Sequence, residues 1–380
     1  MKVLYVLSRD DKFGAPRALL EMIKTLKKNH NICPIILTPV NNDINKICNE
    51  LGIENYSIMY GTAMKRKNEY FKNILRWIVY KYGNTFSIKK ISKIIDFNNI
   101  DLIHSNNSVI DFGYKLSKKY NKKHIWHLRE FADLDFNYYP FDKKYITYMN
   151  DSNNIAISNI IYDHWTNKKV KNITLVYDGI DIDDIKVKKK YNESKIKFIF
   201  IGSLCETKGQ LKFLNTILKL DKKIISNIEI HFFGTGEDSY IFQIKKLINE
   251  NNLEKTIYLD GYTSNIRDII KDYDIGIINS KSEAFGRVTV EYMASGLCVL
   301  ASNTGANTEI INNNKTGIIF KYGDDSDIVK QITHIIQNRK EIKKIGINAR
   351  KEVINKYTKE INARNIYKLY MSIVGDKNDI

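Results

Sequence analysis

Proline is scarce in this 380-residue chain, with four in all, and cysteine is equally scarce. The four cysteines, at positions 33, 48, 205 and 298, form no CxxC pair and no metal-like cluster. That argues against a disulfide framework and a cysteine zinc site, and points to free thiols in a reducing compartment. No stretch of about 20 apolar residues occurs, so no membrane-crossing helix is expected. The opening MKVLYVLSRD carries an apolar run that charge ends at once, which reads as a first β-strand rather than a signal peptide. Neither GxxxxGK[ST] nor GxGxxG is present, which argues against a Walker-type phosphate loop and a dinucleotide fingerprint. No nucleic-acid-binding module can be matched either.

Apolar residues and aromatics are present in quantity. Hydrophobic residues make up 43% of the chain, with 24 Tyr and 16 Phe, which suits a folded globular enzyme. The length exceeds one ordinary core, so two domains of about 150–200 residues are expected. The formal net charge is +17, unevenly spread: residues 1–178 hold 28 Lys and Arg against 17 Asp and Glu, and the remainder 32 against 26. A basic excess suits an anionic partner such as a phosphate ligand or an acidic membrane surface; solubility in a Lys-rich proteome is the plainer reading.

The chain alternates strands with helices. Lys2–Leu7 reads as a buried strand, followed by a loop with Gly14 and an amphipathic helix from Pro16 to Lys28. Strands follow at Ile32–Leu37, Asp101–His104, His124–Leu128, Asn153–Ile157 and Ile173–Tyr177. A polar stretch, Asp178–Lys195, reads as a linker. The same grammar then restarts with strands at Lys197–Ile201, Glu229–Phe233, Ile257–Leu259, Asp274–Asn279 and Leu297–Ala301, with a short helix at Gly286–Ser295. Such alternation implies two doubly wound α/β domains, each a parallel sheet covered by helices on both faces. Ligands of such folds bind at the carboxyl ends of the strands, and here two sets of strand ends are expected to face a central cleft.

The stretch SKSEAFGRVTVEYMASGLCVLASN, from Ser280, is the most informative. Glu283 falls in a turn and Glu291 inside the following helix. Gly286 lets the backbone pass close to a ligand, and Gly296 suits a helix stop. The N–H groups near Phe285–Val288 lie at a helix N-terminus, a ready site for a diphosphate. Glu291 sits among apolar neighbours, VTVEYMA, where a carboxylate is rarely buried without a partner. A second loop, IGSLCETKGQ, carries Gly202 at a strand end and Lys208 before the next helix, a cation for phosphate or a solvated side chain. Gly14, in SRDDKFGAPRALL, follows the first strand and is placed to touch a phosphate or sugar. In HIWHLRE, His127, Arg129 and Glu130 lie just past a buried strand; His127 is a ligand contact or a core histidine. His124 and His127 point to opposite faces of a strand and are not a metal pair. The triplets Asp133-Leu-Asp135 and Asp181-Ile-Asp183 lie in polar stretches and are not read as metal sites. Lys65–Tyr82 mixes cations with aromatics at helical spacing, which fits either a helix on an acidic membrane or a stripe joining the core.

These segments together resemble glycosyltransferase family four, the retaining enzymes of the GT-B fold also described as glycosyl transferases group 1. EAFGRVTVEYMASGLCVLASNTGANTEII, Glu283–Ile311, is similar to the family's donor-site signature, and IGSLCETKG to its phosphate loop. VYDGID, Val176–Asp181, resembles the domain boundary, with Asp178 where Asn is common. FGAPR and HIWHLRE match N-terminal elements. The resemblance implies an α/β GT-B fold of two Rossmann-like domains, with an acceptor-binding domain at 1–178 and a nucleotide-sugar-binding domain at 179–356. A C-terminal helix at 357–380 would cross back to the first domain. It implies that Glu291 binds ribose hydroxyls and that Glu283 lies at the transferred sugar. Backbone amides of Phe285, Gly286 and Arg287, flanked by Ala284 and Val288, would hold sugar and phosphate. Lys208, with Gly202 and Ser203, would meet the diphosphate, Gly14 would approach it from the other domain, and His127 would contact the donor sugar. Arg17, Arg129 and Glu130 are candidates for acceptor or donor contact. Relatives often carry Arg where this chain has Ser203, which leaves Lys208 with fewer cationic helpers.

The activity so implied is retaining, metal-independent transfer of a hexose from a UDP- or GDP-sugar to a glycan or lipid-linked acceptor, with no cofactor. Bacterial surface polysaccharide synthesis, capsule or lipopolysaccharide, is the implied setting. The protein is expected in the cytoplasm, at the inner face of an anionic membrane, with no nucleic-acid partner. Acceptor contacts are expected from variable loops at about 61–84 and 131–142. Two rivals stand beside it: a nucleotide-sugar epimerase, and a non-catalytic GT-B subunit that supports a partner transferase.

Overall fold

The computed structural model describes residues 1–8, 14–188 and 194–375. The chain divides into two compact units. One comprises Met1–Gly179 together with the chain from Lys359 onward; the other is Ile180–Thr358.

The first unit contains β1 (Lys2–Val6), β2 (Cys33–Thr38), β3 (Glu54–Ser57), β4 (Met64–Arg66), β5 (Leu102–Ser105), β6 (Lys123–Leu128), β7 (Tyr138–Pro140), β8 (Asn153–Ala156) and β9 (Ile173–Leu175). Seven of these form one sheet in the order β3-β2-β1-β5-β6-β8-β9, and its pairings are parallel. Parallel strands are covered on both faces, so they read as continuous apolar runs, and Val3–Val6 of β1 are all buried. The Gly14–His30 and Lys359–Val374 helices share a core with β1: Leu19, Ile23 and Leu26 join Val3, Tyr5, Ile366 and Tyr370. β4 and β7 form a separate antiparallel pair, with Lys65 opposite Tyr139.

The second unit contains β10 (Ile196–Ile201), β11 (Ile228–Phe233), β12 (Ile257–Gly261), β13 (Ile275–Ile278), β14 (Cys298–Ser302) and β15 (Ile318–Phe320). They form a parallel sheet in the order β12-β11-β10-β13-β14-β15, packed around Phe198, Phe200, Phe213, Phe232 and Phe320. Both sheets are doubly wound. The strand order turns back between β1 and β5 in one and between β10 and β13 in the other, and ligands of open α/β sheets bind at that turning point.

Two stretches differ from the expectation. The polar run after Asp178 is packed rather than loose: Ile180 and Ile185 are buried, and Lys188 makes a buried ion pair with Asp274 at 3.0 Å. Lys189–Glu193, within the same run, lie outside the described residues. The helix expected over Lys65–Tyr82 starts only at Tyr70, because Lys65 and Arg66 belong to β4. Its aromatic stripe does not join the core; no residue of the Tyr70–Ile78 helix is buried. Among the described residues no helix is long and apolar enough to cross a membrane.

Gly276 of β13 lies against the buried ring of Tyr292, and a Cβ there would come within 2.2 Å of that ring. Tyr292 cannot easily retreat, since its hydroxyl donates to Ile199 O at 3.1 Å and accepts from Ile201 N at 2.8 Å. Gly276→Ala is therefore expected to cost about 1–3 kcal/mol through overpacking. A drop in the thermal midpoint checks this; an unchanged midpoint would mean that the ring gives way.

Candidate functional site

Two loops leave the second sheet at its turning point. One follows β10 and spans Gly202–Gly209; the other follows β13 and spans Asn279–Gly286. They are stitched together. Lys281 N donates to Thr207 O at 2.9 Å, and Asn279 Nδ2 donates to Gly209 O at 2.9 Å. At the rim Lys208 Nζ donates to Glu283 Oε1, which also accepts from Ser280 Oγ at 2.6 Å. Glu283 is thus preoriented with a cation beside it, and neither side chain is fully buried.

The second loop ends at Gly286, whose φ of +79° favours glycine, and there the Arg287–Ser295 helix begins. Phe285 is buried with its ring against Tyr357, which pins the backbone just before that helix start. The helix N-terminus, with its positive dipole end, therefore sits within the same loop as Glu283. The structure brings Gly202, Ser203, Lys208, Glu283, Ala284, Phe285, Gly286, Arg287 and Val288 to one edge of this sheet. Ser203 is exposed, and its carbonyl accepts from Gln210 Nε2 at 3.0 Å.

Glu291 lies further along the helix, buried at 5% exposure. Its partner, which the sequence reading did not name, is Arg267. The guanidinium donates to Glu291 Oε1 from Nη2 at 3.1 Å and from Nε at 3.3 Å. The local signal was only an Arg in SNIRDII, where Arg267 sits in the short Ile266–Ile269 helix before β13, with nothing to indicate that it points at Glu291.

In the first unit, the β6 end forms a second cluster. Arg129 Nη1 donates to both oxygens of Asp178, at 2.7 and 2.6 Å, and Nε donates to Asn106 Oδ1 at 2.9 Å. Both partners of this ion pair are buried. Arg129 Nη2 lies 3.3 Å from His127 Nδ1. Glu130 points inward, accepting from Ser108 N at 2.6 Å and Ser108 Oγ at 2.7 Å. Arg129 and Glu130, candidates for acceptor or donor contact, are members of this buried network. Their charge and hydrogen bonds are spent on Asp178, Asn106 and Ser108. Gly14 and Arg17 are exposed at the start of the first helix, where Arg17 pairs with Glu21 at 3.5 Å. Arg9–Phe13, the loop before them, lie outside the described residues. Of the Asp-x-Asp triplets, Asp133 pairs with Lys168 at 2.6 Å, and Asp135 accepts from Phe131 N at 2.8 Å.

His127 is fully buried. Burial, then the charge of Arg129, holds its pKa well below the usual histidine value, and His104 is depressed by the same causes. Both rings are therefore neutral at pH 7. Arginine can only donate, so His127 Nδ1 is an acceptor and the ring proton sits on Nε2. His104 Nε2, 3.1 Å from that same Nδ1, must then carry its own proton, and His104 Nδ1 accepts from Tyr370 Oη at 2.6 Å. Tyr370 belongs to the Lys359–Val374 helix. The chain of bonds ends at His127 Nε2, a buried N–H with no partner among the described residues. A buried donor left open is costly, and one at a strand's carboxyl end suits a ligand acceptor.

Residues 181–352 match the family model described as glycosyl transferases group 1. The chain is similar to the capsular polysaccharide biosynthesis glycosyltransferase CapH of Staphylococcus aureus, at 24% identity, over 82% of this chain and 83% of that protein. It is also similar to the N-acetyl-alpha-D-glucosaminyl L-malate synthase of Bacillus anthracis, at 22% identity, over 55% of this chain; the match spans 56% of that relative's length. Among solved structures, Anabaena HepE in complex with UDP superposes with a TM-score of 0.80 at 16% identity, covering 98% of this chain and all of that one.

Burial raises the Glu130 pKa to about 7, from an ordinary value of 4.5. A raised folded-state pKa stabilises the fold below the unfolded value, and that contribution is lost as pH rises through the folded value. Glu130→Gln keeps an acceptor for Ser108 and removes the titration. The variant is expected to lose less stability than the parent between pH 5 and pH 8, a difference of about 3 kcal/mol. Chemical denaturation at both pH values checks this, and parallel pH profiles would overturn it. The His127 tautomer is read by its imidazole nitrogen-15 shifts, assigned with His127→Gln. An Nε2–H signal is expected in the parent, and Tyr370→Phe, which leaves His104 Nδ1 without its donor, is expected to mix the His104 tautomers while Arg129 holds that of His127.

Proposed function

We propose that this chain, which matches the group 1 glycosyltransferase model over residues 181–352 and has two Rossmann-like units of the GT-B fold, transfers a sugar, with retention, from a UDP- or GDP-sugar to a glycan or lipid-linked hydroxyl. The observation that carries this reading is the convergence of Lys208, Glu283 and the Arg287 helix N-terminus at one sheet edge. A cation, a carboxylate and a helix dipole at that spacing match a diphosphate ester with a hydroxylated sugar on it.

Lys208 and Glu283 now satisfy each other. A donor would separate them: its diphosphate takes the Lys208 ammonium and the helix N-terminus, while a sugar hydroxyl takes Glu283. Phosphate oxygens and sugar hydroxyls thus replace an ion pair instead of leaving one half bare. Glu291, held by Arg267, is the ribose clamp, with the guanidinium fixing the carboxylate's direction. In the first unit, His127 Nε2–H is an open donor for a ligand oxygen; as a neutral ring whose Nδ1 already accepts, it orients and does not act as a base.

In the transfer step the bond from C1 to the leaving diphosphate oxygen breaks and a bond from C1 to the acceptor oxygen forms on the same face. The acceptor proton passes to the leaving phosphate. Negative charge grows on that phosphate in the transition state, where Lys208 and the helix N-terminus are aimed. No metal is assigned a part. The similarity to a capsular enzyme supports a setting in bacterial surface polysaccharide synthesis.

Calorimetry with UDP, GDP and their sugars tests the reading. One nucleoside diphosphate is expected to bind, and Lys208→Met to weaken it about tenfold to a hundredfold, as for a lost charge-assisted hydrogen bond. Binding of the matching nucleoside, which lacks phosphate, is expected to stay unchanged. Failure of both nucleoside diphosphates to bind would remove the proposal.

A further inference from the structure

The stretch from Tyr70 to Ile91 is an amphipathic helical segment mounted with its polar side inward. It comprises the Tyr70–Ile78 helix, a wide π-turn at Val79–Gly83 and the Asn84–Ile91 helix. The residues that fasten it are polar and recur every three or four positions. Asn73 holds both backbone groups of Arg66, accepting from N at 2.9 Å and donating to O at 2.6 Å. Arg76 pairs with Glu69 at 2.6 Å. Tyr80 donates to buried Asp111 at 2.9 Å, Asn84 accepts from Gly61 N at 2.8 Å, and Ser87 donates to Met59 O.

The apolar side is left to solvent. Phe71 is 82% exposed, Phe86 68% and Leu75 65%, with Tyr70, Trp77 and Tyr82 also exposed. On an ordinary surface helix the apolar stripe faces the core. Here that order is reversed from Tyr70 to Phe86, before Ile91 turns back into the core, and that reversal marks an interaction face.

The charges around this face say what covers it. Residues 70–95 contain no Asp or Glu and six cations: Lys72, Arg76, Lys81, Lys89, Lys90 and Lys93. Arg76 is neutralised by Glu69; Lys81 lies over the Trp77 ring, 4.8 Å from its centre. A second copy of this face would bring like charges together, which opposes self-association. Aromatic and aliphatic side chains flanked by lysines suit a bilayer interface, where rings enter the headgroup layer and ammonium groups meet lipid phosphates.

We propose that the Tyr70–Ile91 face docks this protein on an anionic lipid surface, with Phe71, Leu75, Trp77 and Phe86 as the inserted residues.

Trp77 supplies the readout, because the other two tryptophans, Trp126 and Trp165, are buried. The full chain is mixed with vesicles of phosphatidylcholine plus phosphatidylglycerol, or of phosphatidylcholine alone, and followed by flotation and tryptophan emission. Binding to the anionic vesicles, a blue shift and protection from acrylamide quenching are expected, with release as salt rises. Phe71→Ser with Leu75→Ser should weaken binding at least about tenfold. Each Lys→Gln change at 72, 89 or 90 should cost about fivefold. The altered side chains are exposed, so the thermal midpoint is expected to hold. Equal binding to neutral vesicles, no binding to the anionic ones, or binding that the double variant leaves intact would overturn the proposal. So would a dimer, seen by sedimentation, that shields Trp77 and is broken by the double variant, since the face would then belong to a second copy. None of these readouts depends on the transferase reading.

Discussion

Parallel strands all point the same way, and that single constraint arranges most of what matters in this chain. Every strand of each main sheet releases the backbone at the same edge, so loops far apart in sequence gather there. Where strand order turns back, two neighbouring loops diverge and leave a crevice between them. In the second unit those loops are the ones with Lys208 and Glu283, 75 positions apart and hydrogen-bonded. In the first unit the edge gathers Asn106, His127, Arg129 and Asp178 by the same geometry. Neither cluster needs unusual backbone beyond a few glycines.

Much of this was legible in the sequence because buried parallel strands are short apolar runs that stand out between polar turns. The Ser280–Asn303 stretch named its strand, turn and helix plainly, and the buried carboxylate at Glu291 announced that a partner must exist. The partner's identity was not legible. Arg267 reaches Glu291 only through the fold, since nothing in SNIRDII ties it to a helix 24 positions later. β3 was missed because ENYS is a polar edge strand, held to β2 through backbone pairing and to the Asp43–Glu50 helix by Asn45 Nδ2, which donates to Asn55 Oδ1 at 2.9 Å. The Tyr70 helix shows a different limit. Periodicity reveals that a helix has an apolar side, but the direction of that side depends on where Asn73 and Arg76 find partners, and those lie in β4 and the turn after it.

The histidine network shows how a few fixed donors settle protonation at a distance. Arginine has no acceptor and tyrosine's proton follows the stronger base, so each ring from Tyr370 to His127 is left one role. Burial keeps both imidazoles neutral, which prevents a second charge beside Arg129. The buried Arg129–Asp178 pair therefore fixes more than the end of a strand: it also decides which nitrogen His127 presents.

The Lys359–Val374 helix gives the chain an order of assembly. It belongs to the unit whose strands were made first, yet it follows the whole of the second unit in sequence. During synthesis the second unit leaves the ribosome with all of its own strands, while the first still waits with Tyr5, Leu19 and Ile23 lacking their cover of Ile366 and Tyr370. The early unit is thus an open clasp, and the late helix closes it. Because that helix also carries the tyrosine at the head of the histidine network, the first unit acquires its final protonation pattern only when translation has passed everything else described here.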